Sequence, residues 1–129
     1  MGQEYLIDTN VLIDFYGGKL PNNAIALINE CLSTSFNISV IVKIETLGFS
    51  GPSADMQGLK ALLSFARILY INDDVADLTI QIRKDIKKIH LGDAIIAATA
   101  LSNNYTLLSR NTKDFKAIEG LTTIDPYNF

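Results

Sequence analysis

The chain has 129 residues and a net charge of −3, with 11 Lys and Arg against 14 Asp and Glu. An isoelectric point near 5.0 excludes nucleic-acid binding by overall charge alone, so such a role needs a local basic rim or a bound cation. One cysteine excludes an intrachain disulfide framework, and no apolar run approaches the length of a membrane span. Hydrophobic residues make up 48% of the chain, enough for a buried parallel sheet with helices on both faces and an apolar surface left for a partner. One domain over residues 1–129 is expected, with no signal-peptide pattern at the start and a cytoplasmic location.

In chain order, Tyr5–Ile7 reads as a strand and Val11–Tyr16 as a short helix stopped by Gly17 and Gly18. Pro21 suits the first turn of a second helix, along which Ala24, Ile28, Cys31 and Leu32 recur at helical spacing. Phe36–Val40 is β-branched and strand-like, and Val42 to Phe49 turns helical before a Gly/Ser/Pro stretch at Ser50–Ser53. Ala54–Phe65 reads as a helix with Leu59, Leu62 and Leu63 inward, although Gly58 weakens it. Ile68–Ile71 is a third strand, followed by the capping cluster Asn72, Asp73 and Asp74. Val75, Leu78, Ile82, Ile86 and Ile89 predict an amphipathic helix reaching Ile89. His90, Leu91 and Gly92 break that pattern. Asp93 then opens a segment to Leu101 that is apolar nearly all round, a central buried helix ended by Asn103 and Asn104. Thr106–Leu108 is a fourth strand, and Thr122–Ile124 suits a short edge strand. Strands alternating with helices give the α/β class, with a mainly parallel sheet of four or five strands.

Asp8 stands at the end of the first strand, where open α/β sheets place their ligands. Glu45, Asp93 and Asp114 recur in comparable settings, after strands or near helix starts. Each has a bland alternative. Asp8 and Asp93 suit helix caps, Glu45 a helix surface and Asp114 a plain loop. Together they are more telling, because strand ends and following helix starts share one edge of a parallel sheet. Carboxylates gathered there repel one another unless a cation neutralises them. Oxygen ligands suit Mg²⁺ or Mn²⁺, whereas zinc calls for His or Cys, and this chain has one of each far apart. Carboxylate-held cations of this kind serve hydrolysis of phosphate esters.

The stretch Leu6-Ile7-Asp8-Thr9-Asn10-Val11-Leu12-Ile13 resembles the opening of PIN-domain proteins. Glu45, the run Leu91-Gly92-Asp93-Ala94-Ile95-Ile96-Ala97-Ala98-Thr99-Ala100 and the run Leu107-Leu108-Ser109-Arg110-Asn111-Thr112-Lys113-Asp114-Phe115 resemble its later motifs in order. The resemblance implies a three-layer α/β/α fold and a metal-dependent endoribonuclease. At this length it looks like the toxin half of a VapBC-type pair: homodimeric, and inhibited by a small VapB-like antitoxin. By the same resemblance Asp8 and Asp93 are the principal Mg²⁺ ligands, with Mn²⁺ as a substitute. Glu45 is a ligand or orients the attacking water, and Asp114 is a ligand or a close support. Asn111 supplies a supporting hydrogen bond, and Thr9, Asn10 and Ser109 hold the carboxylates. Gly92 stands where the family more usually has proline, which loosens the helix start.

His90 is read as a cap on the helix before it, not as a general acid. Arg83, Lys84, Lys87 and Lys88 form a helical stripe that is ordinarily just solvated, whereas Arg110, Lys113 and Lys116 flank the acids and are better RNA contacts. Tyr16 reads as core or partner packing before base stacking. Phe15, Tyr16, Phe49, Met56 and Leu59 are candidates for a dimer or antitoxin surface. Two rival readings stand beside the nuclease: a non-catalytic interaction module on the same fold, and a phosphoacceptor receiver domain. The latter wants adjacent acids after the first strand, and this chain has Asp8-Thr9-Asn10.

Overall fold

The structure, a computed structural model, describes residues 3–129. Its strands are β1 (Tyr5–Ile7), β2 (Asn37–Ser39), β3 (Arg67–Leu69), β4 (Thr106–Leu108) and β5 (Thr123–Ile124). They form one sheet in the order β3-β2-β1-β4-β5, and every pairing is parallel. Successive residues of a strand face opposite sides of the sheet. Leu6 and Ile7 are both fully buried, as are Leu107 and Leu108, so helices cover both faces. A receiver domain keeps its first strand between the second and third. Here β1 lies between β2 and β4, which removes that rival.

The helices are α1 (Thr9–Tyr16), α2 (Asn22–Thr34), α3 (Val40–Leu47), α4 (Ser53–Leu63), α5 (Asp73–Asp85), α6 (Leu91–Asn103) and α7 (Thr112–Phe115). The central one is α6, buried without a break from Ala94 to Ala100, as its unbroken apolar run predicts. It ends at Asn104, whose left-handed backbone (φ 59°) suits asparagine. Asn72 caps α5 by accepting a hydrogen bond from the Val75 amide at 2.9 Å. Gly58 is the residue that lets Tyr16 lie against α4: a Cβ there would clash with the phenol. Cys31 is buried on α2, and burial pushes its thiol up to about 11, which makes it inert.

Two expectations need correction. α5 ends at Asp85, a turn early, because Ile86 leaves the helix with φ −125° and ψ 92°. Ile86 and Ile89 still pack inward from the connecting turn, so their helical spacing outlasted the helix itself. Lys87 and Lys88 consequently sit in that turn and do not continue a stripe from Arg83 and Lys84. His90 does not cap α5. It is the residue from which α6 starts, and its side chain makes no capping bond. Among the described residues, no helix is long and apolar enough to cross a membrane.

Candidate active site

The pairing of β1 with β4 sets the site. Tyr5 lies beside Thr106, Leu6 beside Leu107 and Ile7 beside Leu108. One residue further, Asp8 and Ser109 leave adjacent strands together, at the point where the strand order reverses and a crevice opens. The Ser109 hydroxyl donates to Asp8 Oδ2 at 2.7 Å, and the Thr9 amide donates to Oδ1 at 2.8 Å. Helix caps ordinarily cover the second or third free amide of the helix. Asp8 bonds the first, so capping does not fully account for it. Its carboxyl is almost wholly buried, and that burial raises its pKa against the opposing pull of Ser109 and Thr9.

Asp93 sits in the first turn of α6. Burial is again the largest cause raising its pKa, followed by the negative charges of Asp8, Glu45 and Asp114. His90 acts in the opposite sense. The four acids come from four separate chain segments, and Asp93 feels the other three. Glu45 projects from α3, where Ser39 caps the helix by accepting from the Ile41 amide at 3.1 Å. Its Oε1 accepts from the Thr9 hydroxyl at 2.6 Å, while Oε2 faces Gly92, where a Cβ would stand 3.5 Å away in ordinary contact. Asp114, on α7, accepts from the Asn111 amide side chain at 2.6 Å.

As these side chains stand, no three acidic, histidine or cysteine groups among the described residues are close enough to hold an ion. Hydroxyl and amide donors occupy Asp8, Glu45 and Asp114 in the meantime. The donor set nevertheless fits a hard divalent cation. It is all oxygen, partly desolvated, and without a lysine or arginine salt bridge to Asp8, Glu45, Asp93 or Asp114 among the described residues.

The surrounding residues divide. Ser109 also accepts from the Asn111 amide at 3.0 Å, so it ties Asp8 to the loop that carries Asp114. Among the described residues Asn10 makes no hydrogen bond to a carboxylate: its Oδ1 accepts from the Arg110 amide at 3.3 Å and so anchors the loop. Arg110 forms an ion pair with Asp14 at 3.2 Å and lies 5.4 Å from the centre of the Tyr127 ring. The Tyr127 hydroxyl donates to the same Asp14 carboxylate. Asp14 and Tyr127 were silent in the sequence, because partners 113 positions apart leave no periodic signal. Lys113 and Lys116 are exposed beside Asp114.

The PIN domain family profile matches residues 5–121, nearly the whole chain. Ribonuclease VapC of Rickettsia bellii is 30% identical over 129 residues, covering 92% of this chain and 93% of that one. Ribonuclease VapC1 of Rickettsia felis is 39% identical over 67 residues, which span 42% of its length. Among solved structures, a toxin–antitoxin complex from Klebsiella pneumoniae is 32% identical, covers 98% of this chain and all of its own, and superposes with a TM-score of 0.78. The three-layer α/β/α arrangement is shared with it. On the extent of these matches, the chain belongs to the PIN-domain family, with the VapC ribonucleases as its relatives.

Proposed function

We propose that the chain is a metal-dependent endoribonuclease, the toxin of a VapBC-type toxin–antitoxin pair. The observation that carries this reading is the field around Asp93, where burial and three other carboxylates together penalise the charged form. Such a penalty is relieved by a cation, and among the described groups only His90 opposes it, as the smallest of the effects. Asp8 and Asp93 would hold Mg²⁺ or Mn²⁺, with Glu45 and Asp114 completing the oxygen set after turning from Thr9 and Asn111. When bound, the cation supplies Lewis-acid polarisation of the phosphodiester and makes water nucleophilic at neutral pH.

The protein's own contribution is placement. Ser109 and the Thr9 amide fix both oxygens of Asp8, so this carboxylate is preorganised. Glu45 is the most exposed of the three acids nearest the crevice and can orient a water and take its proton. Asn111 donates to Asp114 and steadies it. Arg110, its side chain 57% exposed even while paired with Asp14, is placed to meet RNA phosphate, with Lys113 and Lys116 alongside. RNA is the substrate, and a VapB-like antitoxin and a second copy of the chain are the partners, in the cytoplasm. The relatives' names support the RNA substrate, and the Klebsiella complex supports the antitoxin partner.

Calorimetric titration with Mn²⁺ tests the ligand set. Wild type should bind, and Asp93→Asn should lose about tenfold or more in affinity. Equal binding by the variant contradicts the assignment.

A further inference from the structure

We infer that the groove between the α5–α6 turn and α7 holds a nucleotide of the substrate next to the phosphate being cut. This rests on the ribonuclease reading and deepens it. The groove has a volume of about 280 Å³, just under the range of ligand pockets, which run from roughly 300 to 1,000 Å³. One nucleotide is the scale that suits it. Two lysines and a histidine line it: Lys88 and His90 from the turn, and Lys113 from α7. Ile86, Ile89 and Ala117 supply apolar lining. Asp114 borders the groove and also belongs to the field around Asp93, so groove and acid cluster are contiguous.

The charge pattern explains why such a groove is needed. Four carboxylates and a net charge of −3 repel a polyanion. Lysines beside Asp114 offset that repulsion one step along the strand, where the neighbouring phosphate lies. Among the described residues no aromatic ring lines the groove, so base stacking adds little. Recognition therefore falls on the phosphate, with the sugar and base against the isoleucines. Binding here is salt-dependent and tolerant of base identity. The early end of α5 makes this possible, because it puts Lys88 in the turn.

The test is NMR titration of the full chain in EDTA with AMP, adenosine or inorganic phosphate, through the millimolar range. AMP should shift the Ile86, Ile89 and Ala117 signals, while adenosine and phosphate bind about tenfold more weakly. Lys88→Gln should weaken AMP about threefold. In RNA cleavage it should raise KM by a similar factor, leaving kcat near wild type. AMP that leaves Ile86 and Ile89 unmoved overturns the inference, as does inorganic phosphate matching AMP in affinity, which marks a plain anion rim. Failure here with Asp8-dependent cleavage intact strikes the groove alone. AMP binding without any cleavage strikes the ribonuclease reading and leaves a nucleotide site.

Discussion

Asp8 concentrates the site's physics in one side chain: it is 5% exposed, accepts two hydrogen bonds and has a raised pKa. Without a cation, its folded form binds a proton more readily than the unfolded chain, whose value is 3.8. Its charge therefore costs stability at neutral pH, and the cost disappears as pH falls through the raised folded value toward 3.8. Asp8→Asn removes the charge, and Ser109 can turn its hydroxyl to accept from the new amide. In EDTA at pH 7 this variant should melt about 3 °C higher than wild type, with the gap closing near pH 4. Differential scanning calorimetry at both values checks it; a variant melting lower at pH 7 runs against the account. Asp8 stood out in the sequence because an apolar run ends abruptly at it, and Asp93 because one begins there. Asn10 was misjudged because an amide next to an acid looks the same whether it braces the carboxylate or, as here, the Arg110 backbone.

At the level of elements, the site depends on β1 and β4 lying in register, since that pairing places Asp8 against Ser109. Leu107 is fully buried in β4 and paired with β1 on one side and β5 on the other. Leu107→Ala should cost about 3 kcal/mol in urea unfolding. Below its melting range it should keep the wild-type kcat, because the backbone ladder persists. A proportionate loss of kcat in fully folded protein would show that packing, not pairing, sets the site. Strand positions were readable from composition, and α6 from its continuous apolar run. The end of α5 was not, because Ile86 and Ile89 occupy helical spacing while serving the core from a turn. Periodicity records what faces inward, not which backbone presents it.

Across the whole molecule, the proposed function asks an acidic chain to handle an anionic substrate and offer apolar surface to a partner. Phe49 is 55% exposed, whereas Leu59, paired with it on sequence grounds, is 4% exposed and belongs to the interior. Of these two, Phe49 can therefore probe the surface cleanly. Phe49→Asp should weaken a VapB-like antitoxin by about tenfold or more, with free ribonuclease activity and melting temperature near wild type. Wild-type affinity in that variant removes Phe49 from the partner surface. The central claim is that carboxylates gathered at one sheet edge cut RNA with a divalent cation. It is met most directly by incubating the folded, antitoxin-free protein with mixed cellular RNA in Mg²⁺ or Mn²⁺, beside EDTA and Asp8→Asn controls. The account predicts discrete products that vanish in both controls; cleavage that survives in Asp8→Asn, or none from metal-loaded wild type, would contradict it.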